Sequence, residues 1–281
     1  ISYGGSPELQ GRLRTLCHEF VVIFCETVRP QPALVPPMNL TVNPAEWKTN
    51  KNRGPPRLHS HEKQKEIQRQ VALLLKLGVI EPSTAAEYSH VHLVPKPTPN
   101  SWRFCLDFIR LNMATDREEG WPLPIINQVM HRLGEKRAKI YDTMDMTSGY
   151  HQAPIAAESR IFTAFITFMG VFQWTRVPMG LKSAGSYFQR VMATVVLAGL
   201  LYIICELYLD DILVYGKDEN DFVSNLRKVF VQLRRHKVTL GPAKCRFGFN
   251  TIEYVGHTIT PEGFTFSEKK RDKVLEFPPP K

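Results

Sequence analysis

Apolar and polar residues along this chain follow two periods that rarely mix. From 61 to 77, Ile67, Val71, Leu74 and Leu75 fall on one stripe, and Glu, Lys, Gln and Arg fill the opposite face. This spacing predicts an amphipathic helix stopped by Gly78. Residues 9–25 (Leu9, Leu13, Leu16, Phe20), 182–196 and 222–233 repeat the helical spacing, and Pro122 and Pro124 open a further helix running to Leu133. Short apolar runs predict strands at 91–94 and 102–106, joined by a hairpin with a basic tip at 96–101. Further strands are expected at 140–146, at 161–168 and 171–176 around Met169-Gly170, and at 201–205 and 212–215. Short strands are also expected in 245–260, around Tyr254-Val255-Gly256-His257. Pro30, Pro32, Pro36, Pro37 and Pro44 mark an extended stretch, and the basic run at 48–57 reads as a solvated linker.

Few of these elements suggest β-α-β crossovers. The order favours an α+β fold with an antiparallel sheet backed by helices on one face. The 281 residues and 43% hydrophobic content support one large domain or two subdomains. A net charge of +9 favours a polyanionic partner such as nucleic acid, a phosphate-rich substrate or an anionic membrane face. Five scattered cysteines without a CxxC pair argue against a zinc site or a disulfide framework and for a reduced intracellular setting. No apolar run approaches a membrane span. The chain starts at Ile1 and ends in Pro278-Pro279-Pro280-Lys281, so both ends look cut from something longer.

The candidate chemistry centres on Tyr208-Leu209-Asp210-Asp211, between two apolar runs. A two-residue hairpin turn normally uses glycine or asparagine, and here it must be built from Leu209 and Asp210. Two adjacent carboxylates in a buried hairpin repel each other unless a cation neutralises them, whereas a solvated Asp-Asp turn is the plain structural alternative. Asp145, at the end of the 140–146 strand, is a natural partner for both. Asp142 has the opposite parity and is expected to face solvent. Two or three aspartates at neighbouring strand ends suit nucleotidyl transfer, which needs two divalent cations.

Several blocks together carry a resemblance. They are 78–83 (Gly-Val-Ile-Glu-Pro-Ser), 101–112 beginning Ser101-Trp102-Arg103, Pro122-Leu123-Pro124, and Asp145-Met146-Thr147-Ser148-Gly149-Tyr150-His151-Gln152. Pro178-Met179-Gly180-Leu181, Phe188-Gln189, the 208–211 box and Val255-Gly256-His257 complete the series. In this order and spacing, from about 78 to 257, the chain resembles the reverse transcriptases of long-terminal-repeat retrotransposons, most closely the Ty3/gypsy group. The resemblance implies a right-hand polymerase fold and an RNA-directed DNA polymerase using an RNA template, a DNA primer and dNTPs. It implies two Mg²⁺ ions, with Mn²⁺ as a substitute, held by Asp145, Asp210, Asp211 and the backbone carbonyl of Met146. It places Lys96, Arg103, Tyr150, Met179 and Gly180 at the dNTP, with Tyr150 as the gate against a 2′-hydroxyl. Tyr208 and Leu209 go to the primer end, and Val255, Gly256 and His257 to the primer grip.

The same resemblance implies an N-terminal extension and linker over 1–60, fingers over 61–138, palm over 139–260 and the start of a thumb over 261–281. It implies protease, ribonuclease H and integrase regions elsewhere in a parent polyprotein, a cytoplasmic setting in a virus-like particle, and no membrane contact. Oligomeric state is left open. Gly185 where the family has proline, Met179 where it has phenylalanine, and a longer 116–121 loop are departures. Asp107 with Arg110 reads as a structural ion pair. The alternative function is a decayed or domesticated nucleic-acid-binding module.

Overall fold

The structure is a computed structural model that describes residues 1–96, 101–116, 120–267, 271–272 and 276. Its strands, in chain order, are β1 (Ser2–Tyr3), β2 (Ile80–Pro82), β3 (Ser89–Pro95), β4 (Trp102–Leu106), β5 (Ile140–Asp145), β6 (Phe165–Thr167) and β7 (Gly170–Trp174). They continue with β8 (Cys205–Tyr208), β9 (Asp211–Gly216), β10 (Arg246–Phe249), β11 (Ile252–Tyr254), β12 (His257–Thr260) and β13 (Gly263–Phe266). The chain packs as two units. The first gathers Ile1–Thr27, Pro122–Thr147 and Gln189–Lys281, and the second gathers Val28–Trp121 and Ser148–Phe188. Neither unit is one continuous stretch, so the packing does not follow the linear boundaries at 60, 138 and 260. In particular, residues 1–27 are not an extension but part of the first unit's core.

In the first unit the sheet order is β1-β10-β5-β9-β8, and β11-β12-β13 form a smaller sheet. All pairs are antiparallel except β1 with β10. One side of the larger sheet is covered by two helices. Pro7–Glu19 buries Leu9, Leu13 and Leu16, and Glu219–Arg235 buries Phe222, Leu226, Val229, Phe230 and Leu233. Between them Phe230 lies at the centre of an aromatic group, with ring centroids 5.6 Å from Phe20, 5.7 Å from Phe24 and 5.8 Å from Phe247. Gly216 ends β9 where a side chain cannot fit, since a Cβ there would lie 2.5 Å from the Phe222 backbone. The other side carries Tyr141, Leu213 and Tyr215, packed with Val129, Met130 and Leu133 of the helix Ile126–Glu135 and with Ile252, Tyr254 and Ile259. The sheet is therefore covered on both faces, not one.

The second unit holds the sheet β2-β7-β6-β3-β4, antiparallel apart from β3 with β6. Phe165 is fully buried, and Phe104, Phe172 and Trp174 surround its ring at 5.8 to 6.1 Å. The helix His61–Lys76 buries Ile67, Val71 and Leu74, but Leu75 of the expected stripe is exposed. Gly78 follows with φ of +64°, the left-handed conformation that favours glycine after a helix.

The run 201–204 does not form a strand. The Leu200 and Leu201 amides both bond back to the Leu197 carbonyl, which closes the preceding helical segment in turns, and β8 begins only at Cys205. Similarly, the 161–168 run opens with a helical turn (Ile161–Thr163) before β6, and Pro122 and Pro124 precede the helix Ile126–Glu135 without entering it. Among the described residues no helix is long and apolar enough to cross a membrane.

Candidate active site

The three aspartates meet in the first unit. Asp145 is the last residue of β5, Asp211 is the first of β9, and the two are direct partners across the antiparallel pair. Directly opposed residues in such a ladder have Cα atoms about 4.5–5.5 Å apart. Asp210 is supplied by the turn between β8 and β9, and its carbonyl accepts the Met146 amide at 3.1 Å. Leu209, the other turn residue, takes φ of +55°. The β5 exit is tied down on its far side. Gly241 N–H donates to the Asp145 carbonyl at 2.9 Å, Thr147 N–H donates to the Thr239 carbonyl, and the Thr147 hydroxyl donates to the Cys25 carbonyl at 2.6 Å.

Electrostatics mark the cluster as short of positive charge. Burial, then the neighbouring charges of Asp210 and Asp145, push the Asp211 carboxyl up to about 6. Burial, reinforced by Asp145, also raises Asp210. The counter-charge comes from Lys244, which sequence reasoning did not single out. Its ammonium donates to both Asp145 oxygens, at 2.9 and 3.0 Å, and this bond raises the pKa of Lys244. Among the described residues no three acidic, histidine or cysteine side chains are already arranged to hold a metal ion. The donor set still fits one: oxygen-only, converging and mutually repelling, it suits a hard divalent cation, and Asp145 holds a cation already.

Asp142 departs from expectation, and Gln189, which had no role assigned, takes one. Asp142 is fully buried, not solvent-facing, because its face of the sheet lies under the helices Pro7–Glu19 and Glu219–Arg235. One of its oxygens accepts the Val214 amide at 2.7 Å and the other has no partner. Gln189 is also fully buried, and its carboxamide contacts the hairpin backbone on both sides of Tyr208.

Val255 and Gly256, with φ of +47° and +75°, make the turn between β11 and β12. His257 is buried with its ring 5.2 Å from Phe266 and 6.1 Å from Phe264, and its Nδ1 lies 3.0 Å from the Val255 carbonyl. The Tyr254 hydroxyl reaches the Asp211 carbonyl at 3.4 Å, which links this small sheet to the aspartate hairpin.

The second unit holds the residues expected at the dNTP. Tyr150 lies in the short helix Gly149–Gln152, entered through Ser148 in the left-handed region, and its ring is 5.2 Å from Phe188. Lys96 is exposed at the end of β3 and its amide donates to the Ser101 carbonyl, while Arg103 is exposed on β4 opposite Val94. Residues 97–100 of the expected basic tip, and 117–119 of the 116–121 loop, lie outside the described residues. Met179 is exposed, Gly180 has φ of +96°, and the Asn112 side chain donates to the Gly180 carbonyl at 2.8 Å. Asp107 pairs with Arg57 at 2.6 Å, not with Arg110, so the basic run at 48–57 is partly engaged in structure.

Solved structures share the fold. The chain has the fold of a foamy viral protease-reverse transcriptase in complex with dsDNA, with a TM-score of 0.81 at 22% identity over 99% of this chain and 56% of that one. With the same enzyme in complex with an RNA/DNA hybrid the TM-score is 0.79 at 22% identity, over 99% of this chain and 36% of that one. A family model described as Reverse transcriptase (RNA-dependent DNA polymerase) matches residues 94–259, and the chain belongs to this family. It is 34% identical to the Retrovirus-related Pol polyprotein from transposon 412 of Drosophila melanogaster, over 98% of this chain and 22% of the relative. It is 32% identical to the corresponding polyprotein from transposon gypsy of the same organism, over 76% of this chain and 21% of the relative. It is 30% identical to the Transposon Tf2-3 polyprotein of Schizosaccharomyces pombe, over 74% of this chain and 15% of the relative. The chain thus spans 15 to 22% of the length of these relatives.

Proposed function

We propose that this chain is the fingers and palm of an RNA-directed DNA polymerase from a retrotransposon Pol polyprotein, extending a DNA primer with dNTPs on an RNA or DNA template. The single observation that carries the reading is the pairing of Asp145 with Asp211 beside the Asp210 turn, where burial and the neighbouring Asp145 charge raise the pKa of Asp210 and of Asp211. Asp145, Asp210, Asp211 and the Met146 carbonyl are the groups that would hold two Mg²⁺ ions, or Mn²⁺ in their place. Bound there, such ions supply charge neutralisation at the attacking hydroxyl and the triphosphate.

The chain's own residues supply alignment. The β8–β9 turn presents Tyr208 and Leu209 at the primer end, and the Val255-Gly256-His257 turn grips the primer. Lys96 and Arg103 receive the triphosphate, a point charge beside a planar fork. Met179 and Gly180 form the floor under the incoming pair. Tyr150, its ring backed by Phe188, is the aromatic surface that excludes a 2′-hydroxyl. The net charge of +9 supports binding through the nucleic-acid backbone, hence sensitivity to salt. The second unit corresponds to the fingers and the first to the palm, so residues 122–138 go with the palm and 148–188 with the fingers, with a thumb beginning after 260. The remaining polyprotein regions are its covalent partners. A decayed binding module is the weaker reading, because the acidic cluster is intact.

Primer extension on poly(rA)·oligo(dT) with Mg²⁺ or Mn²⁺ tests the reading. Asp210→Asn should lower extension by about a hundredfold or more while the melting temperature stays within a few degrees. A folded Asp210→Asn protein that extends primers like the wild type would overturn it.

A further inference from the structure

The hairpin that carries Asp210 and Asp211 has an uncomfortable turn. Position 209 has φ of +55°, a conformation glycine adopts freely and a leucine side chain opposes. Neither turn residue is glycine. An interaction from outside the turn must therefore hold it.

Gln189 supplies that interaction. It sits on the helix Ala184–Val191 and is 0% exposed. Its Oε1 accepts the Leu209 amide at 2.7 Å, and its Nε2 donates to the Leu207 carbonyl at 3.2 Å. The orientation of the carboxamide is fixed by its partners, because a backbone amide can only donate and a carbonyl can only accept. A buried carboxamide is costly unless both ends are bonded, and here both ends are spent on two backbone groups flanking Tyr208.

We infer that Gln189 is a positioning residue for the catalytic hairpin: it holds Leu209 in the left-handed conformation and so fixes the direction in which Asp210 and Asp211 leave the turn. The bond replaces what glycine does in an ordinary hairpin. The kinetic consequence rests on the polymerase reading above, and the local one does not.

The test is a double-mutant cycle between Gln189→Met, which keeps the length and removes the amide, and Leu209→Gly, which takes positive φ without strain. It is read by amide exchange at residue 209, by melting temperature, and by kcat and KM for dNTP in primer extension. Gln189→Met alone should speed exchange of the Leu209 amide by about tenfold or more. It should also lower kcat by about tenfold, with KM for dNTP within about threefold. With Gly at 209, the same substitution should cost less than about threefold in kcat and correspondingly less in melting temperature. An unchanged exchange rate at 209, or an equal loss in both backgrounds, would reduce Gln189 to ordinary core packing. If Gln189→Met does not fold alone, its recovery by Leu209→Gly supports the clamp and a failure to recover counts against it. Should the wild type extend no primer, the polymerase reading is what fails, and the exchange and melting arms still decide the clamp.

Discussion

Asp142 is a carboxyl group enclosed on every side, bonded through one oxygen to the Val214 amide and through the other to nothing. Burial raises its pKa well above the usual carboxylate value. The titratable groups around it are the thiols of Cys17, Cys205 and Cys245, which burial also pushes up, Cys17 to about 11 and Cys245 to about 12. They stay neutral and offer no compensating charge. The folded state therefore keeps a proton on Asp142 that the unfolded chain releases above about pH 4. Its contribution is favourable at low pH and is lost as pH rises towards the folded pKa, at up to about 1.4 kcal/mol per pH unit. Asparagine keeps the acceptor for Val214 and cannot ionise. Calorimetry of Asp142→Asn should thus match the wild type near pH 4 and show growing extra stability towards pH 8. Parallel stability curves would mean that Asp142 is not a neutral buried acid. Parity along β5 correctly separates Asp142 from Asp145, but no local pattern reveals that helices cover the second face. The three aspartates were legible because each sits at a strand end or turn inside a spaced motif. Gln189 stood out only within the Phe188-Gln189 block, with no partner in sequence to give it a role, and Lys244 was not legible, since it lies in no motif. Their roles come from partners 20 and 99 residues away.

At the scale of elements, the segment that most changes the picture is the first 27 residues. The strand β1 adds to β10, Phe24 and Cys25 pair with Leu240, and Leu240 bridges to Met146 next to Asp145. The helix Pro7–Glu19 is capped by Ser6, whose hydroxyl accepts the Leu9 amide, and it packs Leu13 against Gly248, where a Cβ would lie 2.9 Å from the leucine. Leu13 is 0% exposed, so Leu13→Ala should cost about 2–5 kcal/mol. That corresponds to a fall in melting temperature of about 5–15 °C for a chain of this size. A fall below about 2 °C in a thermal melt would mean the helix is an appendage after all. The long helices were legible because ten or more residues of 3.6 periodicity average out local exceptions, as at Leu75. Strands of three or four residues carry too little pattern, and apolar runs such as 201–204 are diverted when their amides are already committed to a helix end.

Taken whole, the chain crosses between its two units four times, and each five-stranded sheet is completed by strands distant in sequence. This has a consequence for fragments that linear domain boundaries do not anticipate. In the second unit, β7 and β6 lie between β2 and β3 in the sheet order β2-β7-β6-β3-β4, yet they come from residues 165–174, beyond the excursion into the first unit. A fragment of residues 28–121 keeps β2, β3 and β4 but loses both central strands. With them go Phe165, Phe172 and Trp174, three of the four aromatic residues clustered about the Phe165 ring. What remains of the sheet is one hairpin and an isolated three-residue strand, too little for the helix His61–Lys76 to pack against and offset chain entropy. Residues 28–188 restore all five strands of that sheet. Far-UV circular dichroism should therefore show no cooperative melt for 28–121 and a cooperative one for 28–188. A sharp transition in the shorter fragment would show that β2, β3 and β4 find a stable arrangement without the strands that separate them.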